Sequence, residues 1–152
     1  MYFECINCNT CVDADITMSV CADCSYPLTI SHKGNLASQS ASPTVTLGEG
    51  GTKVIHLSKV AKLVGISKIY AKLENCNPTG SFKDRGSAAL ISAIKSAGIK
   101  SIVEDSSGNA GASVAAYSAA TGIEAHIFVP ENAPKAKIDQ ILVYGATVHK
   151  IP

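Results

Sequence analysis

The chain is 152 residues long, 46% hydrophobic but only 5% aromatic, with a formal net charge of +1. That length holds one ordinary domain, or a small module plus one domain, and the composition suits a buried α/β core. The 13 Lys and Arg residues are spread along the chain instead of forming a basic stripe, which argues against a nucleic-acid partner or an anionic membrane surface, and no segment reaches the roughly 18 apolar residues that span a bilayer.

The first residues, Met1 to Cys8 (MYFECINC), show no basic leader followed by an apolar run, so a cytoplasmic location and small-molecule chemistry are expected. Five of the six cysteines, Cys5, Cys8, Cys11, Cys21 and Cys24, fall within the first 24 residues. In a reducing compartment such crowding favours a metal over a disulfide framework. Cys5-x-x-Cys8 and Cys21-x-x-Cys24 are separated by twelve residues, a spacing that lets two knuckles converge on a tetrahedral four-cysteine zinc site. Cys8-x-x-Cys11 is a second way to draw the first knuckle. Cys5 and Cys8 are preferred because a zinc ribbon needs the longer hairpin between its knuckles. The alternative to zinc is a set of reduced, partly buried thiols.

Residues 1 to about 30 therefore read as a zinc-ribbon-like module, and the polar, Ser-rich stretch 31–46 reads as a linker. From residue 47 to residue 152 short apolar runs alternate with Ala-rich helical patterns. A helix over Val60 to Val64, closed by Gly65, precedes a strand over Ile69 to Leu73. A loop to Ser81 leads into a helix from Phe82 to about Ala97, a strand Ser101 to Glu104, and a helix from Ala110 to about Thr121. A strand Ala125 to Val129, a helix Pro134 to Tyr144 and a strand Thr147 to Ile151 complete the series. Strands of about five residues alternating with longer helices are the pattern of βαβ units around a parallel sheet. Gly98, Gly122 and Gly145 each follow a helical run, where a left-handed C-cap wants a residue without Cβ.

Two loops carry the candidate chemistry. In Asn77-Pro78-Thr79-Gly80-Ser81-Phe82-Lys83-Asp84-Arg85-Gly86 a tight turn at Pro78 and Gly80 leads to Ser81 as N-cap and puts Lys83 in the first helical turn. The positive end of the helix dipole disfavours an ammonium there, a placement that suits a lysine acting as a neutral nucleophile toward an aldehyde. Read alone, a solvated surface lysine is the commoner outcome. Ser106-Ser107-Gly108-Asn109-Ala110-Gly111 follows an apolar strand and opens a helix, so its N–H groups make either an anion site or an ordinary glycine-containing turn. A third glycine cluster, Gly48-Glu49-Gly50-Gly51-Thr52, lacks the Gly-x-x-x-x-Gly-Lys-Ser/Thr of a nucleotide P-loop.

Together these strings resemble the pyridoxal phosphate (PLP) enzymes of fold type II, the tryptophan synthase β-like family, and within it the threonine synthase branch. The resemblance runs from the cysteine knuckles through the Glu49 to Thr52 turn to Thr147 and beyond. It implies that Lys83 forms the Schiff base with PLP, that Phe82 lies close to the cofactor, and that Asn109 bonds the cofactor's phenolic oxygen. It further implies that Ser106, Ser107, Gly108 and Asn109 take the substrate carboxylate, with Thr52 a further substrate contact in the turn at the site entrance, while Asp84 and Arg85 brace the helix. Lys53 stands where the family usually has Pro. The implied reaction converts O-phosphohomoserine and water to threonine and phosphate, in an enzyme that is a homodimer when intact. Family members are more than twice this length, so the chain is expected to be an amino-terminal portion, inactive by itself. Cysteate synthase, threonine or serine dehydratase and cysteine synthase share the two loops and stay open as alternatives, as does a non-catalytic zinc-binding fragment.

Overall fold

A computed structural model describes residues 2–13, 15, 18–31, 43–106 and 108–152. The chain divides into two compact units, Met1–Ser42 and Pro43–Pro152.

In the first unit β1 (Tyr2–Cys5), β2 (Cys11–Asp13) and β3 (Leu28–Ser31) form an antiparallel sheet in the order β2-β1-β3. Phe3 faces Val12 on one side and Ile30 on the other. Cys5 and Cys21 are buried, whereas Tyr2, Ile6, Val20, Tyr26 and Ile30 are exposed. Among the described residues of this unit the buried side chains are thiols, and Phe3, Val12 and Leu28 are only half-buried, so these residues form little hydrophobic core, the situation in which small modules rely on a metal.

The second unit begins earlier than the composition suggests. Val45 is buried and its N–H donates to Ser92 Oγ at 2.9 Å, so the linker expected over 31–46 gives way to packed chain before its end. Its stretch 32–42 lies outside the described residues. β4 (Val54–His56) and β5 (Tyr70–Lys72) pair antiparallel, with α1 (Ser58–Leu63) between them. Here the expectation needs correction: the strand around Ile69 to Leu73 does not join the parallel sheet, and its partner β4 is a strand that the sequence pattern does not announce. All three β4 side chains are exposed, so this segment lacks the alternation that would mark a half-buried strand.

After a 3-10 turn at Glu74–Cys76, α2 (Lys83–Ser96) leads to β6 (Ser101–Asp105), α3 (Asn109–Ala119), β7 (Glu124–Pro130), α4 (Lys135–Val143) and β8 (Thr147–Ile151). β6, β7 and β8 form a parallel sheet in that order, as the βαβ pattern predicts. Gly98, Gly122 and Gly145 end their helices at positive φ, from 70° to 84°. Along β7 alternate residues Ala125, Ile127 and Val129 are buried against Ala112, Ala115, Ile138 and Ile141 of α3 and α4. A second cluster joins Ala88, Ile91 and Ile94 of α2 to Ala116 and Tyr117 of α3, with Val45 and Ile123. The two clusters stack α2 beside α3 and α3 over the sheet.

Candidate active site

Lys83 and Asn109 are the first residues of α2 and α3. Their helices are fastened at that end by a buried polar cluster. The Asp84 carboxylate, fully buried, accepts the Thr79 N–H at 2.7 Å and the Thr79 hydroxyl at 2.5 Å, and it lies 2.6 Å from the Ser113 hydroxyl. Ser113 is also 2.7 Å from the Ser87 hydroxyl. A buried carboxylate is tolerated only when its lone pairs are satisfied, and satisfying this one ties the lysine loop, α2 and α3 together. Asp84 thus braces the helix, as expected. Ser81 makes the expected capping bond, its Oγ accepting the Lys83 N–H at 3.3 Å, while Phe82 between them already has helical φ and ψ of −65° and −12°.

Lys83 is exposed, its Nζ 4.7 Å from the Phe82 ring centroid, and Phe82 is 56% exposed. The amine and the aromatic therefore stand open to a ligand at the amino-terminal end of α2. Burial pushes the Glu104 carboxyl up, the adjacent Asp105 adds to this, and the charge of Lys83 opposes it.

In the asparagine loop Ser106 Oγ accepts the N–H groups of Gly108 at 3.3 Å and Gly111 at 2.9 Å. These bonds occupy its two lone pairs and do not use its proton. The first intrahelical bond runs from Ala112 N–H to Gly108 C=O, so the N–H groups of Asn109 and Ala110 lie ahead of it at the helix start, where anions bind. Asn109 is exposed and its Oδ1 accepts from Lys137 Nζ at 2.6 Å. Ser107 lies outside the described residues. Gly111 has structural work of its own: a Cβ there would stand 2.9 Å from Ile127 Cγ2 and 3.2 Å from Ile141 Cδ1.

Thr52, at the end of the Gly48 to Thr52 turn, is bonded within the chain. Its hydroxyl donates to Glu74 Oε1 at 3.0 Å and accepts from Arg85 Nη2 at 3.3 Å. Glu74 is the hub: Arg85 grips it through Nε at 2.9 Å and Nη2 at 2.8 Å, and Asn77 Nδ2 donates to it at 2.8 Å. The Arg85 guanidinium, with Asn77 and Thr52 adding, holds the Glu74 carboxyl down at about 2. Gly50 N–H donates to Asn77 Oδ1 at 2.9 Å, with Gly50 at φ +86°. The turn's other end is held by Glu49, whose Oε2 accepts the buried Tyr117 hydroxyl at 2.6 Å and the Thr46 hydroxyl and Leu47 N–H at 3.0 Å each. Burial alone would raise Glu49, but these hydrogen bonds outweigh it and hold its carboxyl low. Burial and the Glu49 bond together push the Tyr117 phenol up. The roles of Glu74 and Lys137, and the hold of Asn77 on Gly50, are not announced by any local pattern, since Arg85, Asn109 and Gly50 lie 11 to 28 residues from them.

In the first unit the Sγ atoms of Cys5, Cys8, Cys21 and Cys24 all lie within 4.8 Å of one another. Cys5–Cys24 measures 3.4 Å, and Cys8–Cys21 and Cys8–Cys24 measure 3.6 Å each. Four sulfurs around one zinc at about 2.3 Å would be about 3.8 Å apart, so the donor set fits. Both knuckles use one turn: the Asn9 N–H bonds Cys5 C=O at 3.0 Å and the Ser25 N–H bonds Cys21 C=O at 2.8 Å. Asn9 and Ser25 have φ of 58° and 57°. Cys11 lies in β2, outside the four-sulfur group.

Residues 45–152 match the pyridoxal-phosphate dependent enzyme family. The chain belongs to that family. Among curated relatives, the threonine synthase of Synechocystis sp. is 42% identical over 108 residues, covering 70% of this chain and 28% of that protein. The threonine synthase of Halalkalibacterium halodurans is 42% identical over 110 residues, covering 72% of this chain and 31% of that protein. The chain thus spans about three-tenths of the length of these relatives. Among solved structures, a pyridoxal 5'-phosphate-dependent aspartate racemase is similar with a TM-score of 0.59 and 36% identity, over 65% of this chain and 32% of that one. Maize serine racemase gives 0.59 and 35%, over 65% and 30%. No described helix is long and apolar enough to cross a membrane.

Proposed function

We propose that the chain supplies the lysine and asparagine loops of a threonine synthase-like lyase, which converts O-phosphohomoserine and water to threonine and phosphate. The observation that carries this reading is the clamp of Asp84 on Ser113, which sets an exposed lysine and an exposed asparagine at adjoining helix starts. The donor set fits PLP: an amine for its aldehyde, a carboxamide for its ring oxygen, and a helix start for the carboxylate of an amino acid. When bound, the cofactor supplies an electron sink for charge that develops at the substrate Cα.

Lys83 would hold the cofactor covalently and, once released by substrate, take the proton from Cα. Phe82 would shield one side of the ring, and the Ser106 hydroxyl with the N–H groups of Asn109 and Ala110 would orient the substrate carboxylate. The Glu74–Arg85 pair would keep the Gly48 to Thr52 turn in place, so Thr52 would act on substrate only through that turn. The phosphate-bearing substrate and the homodimeric, cytoplasmic setting are expectations of the same reading. Zinc on Cys5, Cys8, Cys21 and Cys24 would stand in for the hydrophobic core that the described residues of the first unit do not form.

A second reading, favoured by the racemase neighbours, has Lys83 remove the same proton without loss of phosphate. Borohydride reduction of the chain with added pyridoxal phosphate, followed by peptide mapping, tests the shared step. Label on Lys83, lost in Lys83→Ala, is expected; label on Lys72 or Lys95 instead would place the cofactor on another lysine and overturn the assignment of Lys83. Phosphate release from O-phosphohomoserine, against loss of optical activity from L-serine, then separates lyase from racemase in the complete enzyme.

A further inference from the structure

We propose that Lys137 is a positioning residue for Asn109, one that makes the asparagine loop select a ligand bearing an anionic ring oxygen over a ligand lacking it. The inference rests on the functional reading above. Lys137 is half-buried on α4, and its Nζ lies 2.6 Å from Asn109 Oδ1 and 3.5 Å from Gln140 Oε1. Two residues earlier, Lys135 behaves as surface lysines do, pairing with Asp139 one turn on in an exposed salt bridge. Lys137 meets two carboxamide oxygens instead.

An ammonium is a donor with no acceptor capacity, so it can bond only the oxygen end of each carboxamide. With Oδ1 of Asn109 held by Lys137, the Nδ2 end must face the other way. A loop that presents only N–H donors there matches an acceptor, and the nearby positive charge favours its deprotonated form. Gln140 anchors the arrangement: with its oxygen turned to Lys137, its Nε2 donates to the Thr79 carbonyl at 2.9 Å. Thr79 is buried and bonded to Asp84. The chain of contacts from Thr79 through Gln140 and Lys137 to Asn109 thus joins the lysine loop to the asparagine loop by a second route, one that does not pass through Ser113. A free carboxamide has two orientations, and only one would suit the ligand; Lys137 removes the wrong one before binding.

The test uses the 152-residue chain and two readouts. In the nitrogen-15 spectrum the Asn109 side-chain NH2 signals should be dispersed in the wild type. They should collapse toward those of a solvated asparagine in Lys137→Met, with the α3 backbone signals unmoved, and return in Lys137→Arg. Pyridoxal phosphate and its 3-deoxy analogue are then titrated by absorbance. The wild type should prefer pyridoxal phosphate, and Lys137→Met should weaken that ligand about tenfold, the scale of one charge-assisted hydrogen bond, while leaving the analogue unchanged. Unaltered Asn109 signals in Lys137→Met, or an equal loss for both ligands, would overturn the proposal. A wild-type chain with no adduct on Lys83 would instead sink the cofactor reading, and the NH2 signals would still decide the pinning of Asn109.

Discussion

Glu74 illustrates how much can hang on a single side chain. Its carboxylate joins the Thr52 turn to α2 through Arg85, and that pairing depresses its ionisation from 4.5 to about 2. A carboxyl whose folded-state value is depressed stabilises the fold fully above its unfolded value, and the benefit is lost as pH falls toward the folded one. The difference in denaturation midpoint between wild type and Glu74→Gln should therefore be constant above about pH 5 and shrink between about pH 4.5 and pH 2. A difference that stayed constant across that window would mean that the charge of Glu74 is not what matters. The effect should be modest, because the pair is solvent-accessible. Gly111 sets two terms against each other. Alanine would gain about 1 kcal/mol in helix propensity, but its methyl would press on Ile127, which is fully buried in the central strand, and overpacking costs about 1–3 kcal/mol. Gly111→Ala should therefore lower stability in a denaturant titration, where a net gain would show that α3 can slide.

Among the elements, the two cysteine knuckles make the sharpest case. They repeat one turn around four converging sulfurs, and β1 runs straight into the first of them at Cys5. Purified from zinc-supplemented medium, the chain should carry about one zinc, the capacity of a single four-cysteine site. Cys21→Ser should lose it and Cys11→Ser should keep it. Retention in the first and loss in the second would move the knuckle to Cys8 and Cys11. The helices are set by a different kind of contact. α2 and α3 are packed along Ile91 and Tyr117, but their starting ends are fixed by the polar Asp84, Ser87 and Ser113 cluster, which can be satisfied in only one register.

At the scale of the whole molecule, parallel sheets are normally covered on both faces. In the second unit the helices cover one face of β6, β7 and β8, while Val103 is 69% exposed and Ile151 is 41% exposed. His126, Phe128 and His149 belong to this open side, with Phe128 and His149 stacked at 4.6 Å and the two histidines 3.1 Å apart. Such apolar surface promotes association. The 152-residue chain should therefore show a concentration-dependent sedimentation coefficient that Val103→Lys reduces, and identical behaviour of the two would place the sticky surface elsewhere.

What the sequence by itself determined follows from short-range physics. Alternation of apolar strands with helices capped by Gly98, Gly122 and Gly145 marked β6 to β8 and their crossovers, because periodicity and capping are local. The lysine and asparagine loops and the four-cysteine spacing were legible for the same reason, each being a contiguous string. Only the tertiary structure decided the rest. It paired β5 with the unannounced β4, drew Val45 out of the linker into a core, and bound Thr52 to Glu74 and Arg85. It also brought Lys137 to Asn109 across 28 residues. Partners so distant in sequence are chosen by which buried or half-buried polar groups must be satisfied once helices and sheet have packed, and that choice leaves no periodic trace along the chain.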